Sequence, residues 1–159
     1  MYTGARFGEC LGMTWDCIDL ENKTIRIEKG FDYHFTNDFT EGKTKSSKRK
    51  ITIPDKLVEI LQTLTIPDDL TQRVFKRVSN NAINKALQLA LNRAGIDKDI
   101  TFHALRHTHA SILLANGVQL LSVSKRLGHA DPNITLHTYA HIIEELEQED
   151  NEKLNSIFN

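Results

Sequence analysis

Hydrophobic residues along this chain follow two different periods. Between Thr24 and Ile53 they alternate with polar ones, and from residue 79 onward they recur every three to four positions. The first period is that of a half-buried strand, the second that of an amphipathic helix. Ile25 and Ile27 alternate with Thr24, Arg26 and Glu28, which predicts one strand. Gly30 can turn the chain, and Phe31, Tyr33 and Phe35 alternate again as a second strand. Asn37 to Gly42 is read as a loop. Ile51 and Ile53 predict a third strand, closed by Pro54, which has no N–H to give a ladder. The connections are too short for crossovers, so the three strands predict one small antiparallel sheet.

Helices account for the rest. A short one is expected from Phe7 to Met13. Asp55 is a candidate N-cap for a helix to about Leu64, stopped by Pro67. Residues 79–94 carry the clearest stripe, with Ile83, Ala86, Leu87, Ala90, Leu91 and Ala94 at helical spacing and Gly95 as the stop. Thr101 is a candidate cap for a helix to about Asn116, ended by Gly117. Leu120, Val123 and Leu127 mark another, closed by Gly128. Asp131-Pro132 pairs an N-cap with a first-turn proline. Ile142, Leu146, Leu154, Ile157 and Phe158 predict a helical tail. The expected fold class is α+β, mainly α: a helical domain with one three-stranded antiparallel sheet.

Composition narrows the setting without naming a function. The chain has 159 residues, 40% hydrophobic and 26% charged, which suits one domain with a real core. No apolar run approaches the roughly 20 residues of a membrane span, and no secretory h-region follows Met1. Cys10 and Cys17 read as reduced core thiols. A cytoplasmic location is the default. The net charge is −1, but six acids and one base lie between Glu144 and Lys153, which leaves the remainder at +4. Five bases fall within Lys43 to Lys50. Such a cluster is compatible with a polyanion partner, but taken alone it favours a solvated hairpin tip.

Four segments carry candidate chemistry. In TFHALRHT, His103 and Arg106 are three apart near a helix start and share a face. A histidine and an arginine aimed at one point can bind a phosphate and move a proton, since the guanidinium fork matches phosphate oxygens. The alternative is a surface pair with a packed histidine. In RLGHADPNITLHTYAH, His129 sits at a turn between helices, and Tyr139 follows ten residues later near the end of the next helix. A tyrosine there is otherwise a packed aromatic. In TGARFGE, Arg6 precedes Glu9 by three, a pattern that a surface ion pair also gives. The fourth segment is GKTKSSKRKITIP, with Lys43 and Lys45. His107, His109, His137 and His141 read as extras. His103 with His107, and His137 with His141, are spaced i,i+4, but no glutamate follows His103 and no cysteine is near, so no metal is expected. There is neither a phosphate-binding glycine loop nor a carboxylate cluster for Mg²⁺, and no cofactor is expected.

Taken together, in this order and spacing, the four segments resemble the tyrosine site-specific recombinases of the phage integrase family, closest to phage and conjugative-transposon integrases. TGAR-x-x-E resembles the first arginine box, KTKSSKRKI the β-hairpin lysine segment, HALRHTHAS the H-x-x-R box, and LGH with Tyr139 the final box. The resemblance runs from Thr3 through Tyr139. It implies site-specific DNA recombination by strand cleavage and rejoining through a 3′-phosphotyrosyl intermediate, without metal or ATP. It implies that Arg6 and Arg106 hold the non-bridging oxygens of the scissile phosphate, and that His103 acts as general acid or base. It further implies that His129 hydrogen-bonds the phosphate, that Lys43 protonates the leaving 5′ oxygen, and that Tyr139 is the nucleophile. Glu9 would support the site, and Lys45 stays an alternative to Lys43.

The same resemblance implies partners: double-stranded DNA, and a homotetramer on DNA joined through residues 142–159, with Leu146, Leu154, Ile157 and Phe158 in the contact, from a chain that is a monomer without DNA. It also frames the chain as a single catalytic domain spanning 1–159, expected to lack the family's first catalytic-domain helix and its N-terminal DNA-binding domains. Two other readings compete. A type IB topoisomerase uses similar residues without exchanging partners. A non-catalytic helix–turn–helix module would use Leu120 to Tyr139, but no Arg or Lys lies between Pro132 and His141 to read a base edge.

Overall fold

A computed structural model describes residues 1–41, 45–75 and 78–158 of the chain. Its first half is built round the alternating segments. After a short helix α1 (Phe7–Leu11) and a 3-10 turn at Trp15–Cys17 come β1 (Ile18–Asp19), β2 (Thr24–Ile27), β3 (Lys29–Phe31), β4 (Phe39–Glu41) and β5 (Arg49–Thr52). The three-stranded antiparallel sheet has the order β1-β2-β5, with Ile25 paired to both Ile18 and Ile51. Its inward isoleucines, Ile25, Ile27, Ile51 and Ile53, pack with Ala5, Met13, Val58 and Leu61 in one core. Each fully buried aliphatic side chain of this kind contributes about 1.5–3 kcal/mol.

The sheet is right in kind, but its third strand is not the expected one. Ile18–Asp19 takes that edge, while Lys29–Phe31 turns away and pairs with Phe39–Glu41 as a separate hairpin. Tyr33 and Phe35 are in no strand, because Asp32 captures the local backbone. Its carboxylate accepts hydrogen bonds from the amides of His34, Phe35 and Thr36. An aspartate that caps its own following amides competes with a ladder and makes a turn. Phe35 is 92% exposed at that turn, the opposite of an inward strand position. The hairpin approaches α1 closely: a Cβ at Gly12 would lie 2.6 Å from the Gly30 carbonyl carbon.

The second half is helical: α2 (Asp55–Gln62), α3 (Asn80–Arg93), α4 (Ala104–Ala115), α5 (Leu120–Leu127), α6 (Pro132–Thr138) and α7 (Ala140–Phe158). Some caps match their signals. Asp131 accepts from the Asn133 amide with Pro132 in the first turn, and Gly128 ends α5 in the left-handed region at φ 72. Others shift. Pro54, not Asp55, is the N-cap of α2. Thr101 does not cap α4: its backbone carbonyl takes the Ala104 amide in a turn, and helix geometry begins after His103.

Ala110, Leu114, Val123, Leu127 and Tyr139 form a second core, with Leu113, Leu120, Ile142 and Leu146 packed against it. Leu146 therefore packs, half-buried, on its own domain. The stripe on α3, the clearest in the sequence, buries no residue fully. Ile83 instead lines a cavity of about 250 Å³ with Phe7, Leu57, Leu61 and Phe102. Helical periodicity reports an apolar face, not how completely that face is covered. Both cysteines are free, as thiols in apolar surroundings. Among the described residues, no helix is long and apolar enough to cross a membrane.

Candidate active site

The site lies where the two halves meet, and backbone carbonyls at the seam are its anchors. Gly4 takes φ +65, and a Cβ there would meet the His109 ring at 2.6 Å, so only glycine lets this turn close on α4. Arg106, reaching from α4, is 5% exposed. Its Nη1 donates to the Gly4 carbonyl at 2.6 Å and its Nη2 to the Leu127 carbonyl at 2.7 Å. Burial, and then the charge of Arg6, pull its pKa down to about 10, which leaves it a cation at neutral pH.

Arg6 is the residue just before α1. Its Nη1 donates to Glu9 Oε1 at 3.0 Å and its amide to Glu9 Oε2 at 2.7 Å. With a side chain 41% exposed, it keeps part of its guanidinium towards solvent. Glu9 is also gripped by Arg49, whose Nη1 and Nη2 reach the two carboxylate oxygens at 3.0 and 2.9 Å. Burial raises the Glu9 pKa, but the hydrogen bonds and charge of Arg49, with Arg6 behind, carry the net shift below the usual carboxylate range. Arg49 is 6% exposed and also donates to the carbonyls of Arg126 at 2.7 Å and Ser47 at 3.0 Å. It thereby ties the strand after the lysine segment to α1 and to the end of α5. A Cβ on Gly128 would lie 2.8 Å from Arg49 Nη1, so the left-handed glycine also makes room for this side chain.

The turn after Gly128 delivers His129. Its Nδ1 is 2.7 Å from the hydroxyl of the fully buried Thr135. When that hydroxyl donates, the ring proton stays on Nε2, the nitrogen left to meet a ligand. Burial first, then Arg106 and Arg6, push its pKa down to about 4, so it is neutral at pH 7. Helix α6 ends on Tyr139, which is 3% exposed with its ring in the helical core. Its hydroxyl is 3.0 Å from His107 Nδ1. Burial raises the phenol pKa, against a smaller lowering by Arg106. His103, exposed just before α4, has its ring edge-on to His107 with centroids 5.2 Å apart. Its pKa is lowered by desolvation, then by His107, Arg106 and Arg6.

Five of the residues singled out in the sequence thus converge: Arg6, His103, His129 and Tyr139 each interact electrostatically with Arg106, and Glu9 supports them. Lys43 lies outside the described residues. Lys45 begins the 3-10 turn Lys45–Ser47, two residues before the Ser47 carbonyl that Arg49 holds. Helices α5 and α6 do form a helix–turn–helix pair, but its turn carries His129 into the site. Among the described residues, no group of three or more His, Cys, Asp or Glu is placed to hold a metal ion.

Four contributors escape the sequence reading. His107 looked like a spare histidine, and Thr135 gave no signal. Arg49 was hidden in a basic run, although it shares strand parity with the inward Ile51 and Ile53. His109 is buried against Gly4 and accepts from Arg126 Nε at 3.0 Å. Burial and the charge of Arg126 push its pKa down to about 4.

Two fixed cations, neutral imidazoles and a phenol around one point make a receptor for an oxyanion and a route for a proton. Comparison with known proteins agrees with that chemistry. Residues 1–145 match the Phage integrase family. The chain belongs to this family. The integrase of Staphylococcus phage L54a is 32% identical in an alignment that covers 98% of this chain and 49% of the relative. A tyrosine recombinase XerC-like protein of Caldanaerobacter subterraneus is 33% identical, over 98% of this chain and 47% of its own length. This integrase-family chain therefore spans about half the length of the curated relatives it matches. The Tn1549 transposon integrase in complex with transposon right end DNA superposes with a TM-score of 0.74 at 22% identity, covering 97% of this chain and 56% of that one. The XerA recombinase does so at 0.71 and 24%, covering 94% and 53%. The mainly helical α+β fold is that of the family's catalytic domain.

Two predictions follow from the site's electrostatics. Arg49→Met leaves Glu9 buried with half its charge partners gone. It is expected to cost about 3 kcal/mol, read from urea unfolding, and a loss under about 0.5 kcal/mol would show that the pair is not a structural anchor. His109 and His129 have folded pKa values of about 4, below the 6.5 of an ordinary histidine. The unfolded chain therefore takes up protons first, so their contribution is complete above about pH 6.5 and is lost as pH falls towards 4. Glu9, also depressed, acts in the same direction as pH falls below 4.5, where an ordinary glutamate titrates. Between pH 7 and pH 5, stability is expected to fall by roughly 2 kcal/mol from His109 alone. Equal urea midpoints at the two pH values would contradict it.

Proposed function

We propose that this chain cuts and rejoins DNA in site-specific recombination, with Tyr139 as the nucleophile. The observation that carries the reading is the convergence of Arg6, Arg106, His103, His129 and Tyr139 from three separated segments. In this reading Arg6 and Arg106 bind the two non-bridging oxygens of the scissile phosphate. His129 donates from Nε2 to the same group, and His103 moves a proton as general acid or base. Lys43, or Lys45 in its place, protonates the leaving 5′ oxygen. Attack by the Tyr139 oxygen forms a 3′-phosphotyrosyl bond and releases a 5′ hydroxyl. A hydroxyl from another strand then reverses the step.

The phosphorane gathers negative charge, and preorganised cations stabilise it more than they stabilise the ground state. The broken phosphodiester's energy is kept in the covalent link, so neither ATP nor a metal enters this scheme. Double-stranded DNA is the proposed partner and the bacterial cytoplasm the proposed location. Support for a DNA partner comes from the family and from relatives of the same fold in DNA complexes. A pool of nicked duplexes with random central sequence, designed so that cleavage releases a short piece, tests the assignment by mass spectrometry. The expected outcome is a nucleotide adduct confined to Tyr139, absent in Tyr139→Phe and formed about 10²–10³ more slowly in Arg106→Ala. An adduct on another residue, or one that survives Tyr139→Phe, would reject it.

The end of α7 belongs to the same proposal. Ile142 and Leu146 pack on the chain's own core, whereas Ile157 is exposed near the helix end. The side chains of Leu154 and Phe158 lie outside those described. We place the homotetramer contact on DNA in this terminal part, from a chain that is a monomer without DNA. Truncation of residues 151–159 leaves Ile142 and Leu146 in place. It is expected to keep the folded monomer and abolish tetramers on DNA in sedimentation; unchanged stoichiometry would refute the contact.

A further inference from the structure

Tyr139 needs somewhere to put a proton. Its hydroxyl becomes an ester oxygen, so the O–H bond must break as the O–P bond forms, and burial makes the phenol a weaker acid than free tyrosine. His103 and His129 are the two histidines singled out for chemistry, yet neither is the group on this hydroxyl. His129 has its Nδ1 on Thr135, at 2.7 Å. His103 stands beyond His107, its ring edge-on to that of His107. The imidazole within reach of the phenol is His107, with Nδ1 at 3.0 Å and ring centroids 6.0 Å apart.

We infer that His107 is a catalytic residue, the group that receives the Tyr139 proton during cleavage and returns it during rejoining. This rests on the reading of Tyr139 as nucleophile. With its own proton on Nε2, His107 accepts the phenol O–H at Nδ1. As the Tyr139 oxygen bonds to phosphorus, the proton moves to Nδ1 and the ring becomes imidazolium. The P–O5′ bond breaks, and the 5′ oxygen takes its proton from the separate acid of the proposed mechanism. Rejoining reverses each transfer. The geometry suits this role in a second way. Tyr139 is fixed by its ring in the helical core, while His107 is exposed on α4. The acceptor can therefore shed its proton to water between steps without moving the nucleophile. Among the described residues, the titratable groups that interact with His107 are His103 just before its own helix, His129 from the turn before α6, and Tyr139 itself.

Two variants separate proton transfer from placement. His107→Asn keeps an oxygen near the Nδ1 position, able to accept a hydrogen bond but not a proton. His107→Ala removes both and opens space for free imidazole. The chain is assayed on the nicked duplex pool for adduct formation between pH 6 and 10. In parallel, the Tyr139 ζ-carbon resonance is followed by NMR in the DNA-free protein. The expected result is unchanged DNA binding and an adduct rate about 10² lower at pH 7 in both variants. The deficit shrinks as pH rises towards the phenol's own ionisation, and added imidazole restores part of the alanine variant. The ζ-carbon resonance shifts in His107→Ala. An asparagine variant as fast as the parent at pH 7, or an alanine variant whose deficit is the same at every pH, overturns proton transfer by His107. If the parent forms no adduct while the resonance still reports the bond, Tyr139 is not the nucleophile, and the role of His107 falls with it. If the parent forms the adduct and neither variant slows it, His107 alone is rejected.

Discussion

Arg106 donates one hydrogen bond to the Gly4 carbonyl and one to the Leu127 carbonyl, and those two contacts decide where the parts of the site meet. The acceptors stand 102 and 21 residues away along the chain, one on the turn that carries Arg6 and the other at the corner that carries His129. Both are dipoles, not charges. A buried guanidinium held by carbonyls has its geometry satisfied and its charge left over. Arg49 is built the other way. It too bonds backbone carbonyls, but its charge is met by Glu9 through two oxygens. One arginine is therefore a structural tie whose charge is met directly by a carboxylate. The other is a tie whose field remains available to a ligand.

Burial comes first in setting the protonation of the histidines, and the cations add to it. His129 and His103 lie within the field of Arg106 and Arg6, and both have lowered pKa values. Adding another cation here would raise the energy of a pocket that already holds two. An anion entering the same space reverses the balance: it offsets the arginines and makes it easier for the imidazoles to hold a proton. The free site is thus arranged for an oxyanion, because its charges are placed and desolvated before a ligand arrives and little reorganisation is left. Thr135, fully buried under His129, belongs to the same preparation, since it selects which imidazole nitrogen is left to meet a ligand.

The candidate site residues were easier to pick out of the sequence than the architecture. Arg6, His103, Arg106, His129 and Tyr139 were singled out because their segments, each ambiguous alone, together resemble the family's boxes in order and spacing. The small sheet was legible as a period of two, but not its membership. Asp32 diverts residues 33–36 into a turn through its own side chain, and alternation of aromatics does not register that. The α3 stripe misled in the other direction, for it promised a buried face and delivered a half-covered one. Arg49 and His107 were hidden for a related reason. A basic run and a histidine-rich helix offer several equivalent residues, and what picks one out is a partner 40 or 32 residues away. Pairings of that range are a property of the fold, not of the local pattern.

Tyr139 joins the two kinds of information. Its ring is a core residue among Ala110, Leu114, Val123 and Leu127, and its hydroxyl is the one polar atom that ring carries to the site. The same apolar contacts that stabilise the helical half therefore aim the oxygen. A phenylalanine at this position keeps the ring's packing and removes only the hydroxyl, so its effect isolates the reaction from the fold. Shortening Leu127 would do the reverse. It leaves the hydroxyl in place, but loosens the wall behind the ring and the carbonyl corner on which Arg106 rests. The aim of the Tyr139 hydroxyl and the position of the Arg106 cation depend on one stretch of α5, and a defect there would degrade both together.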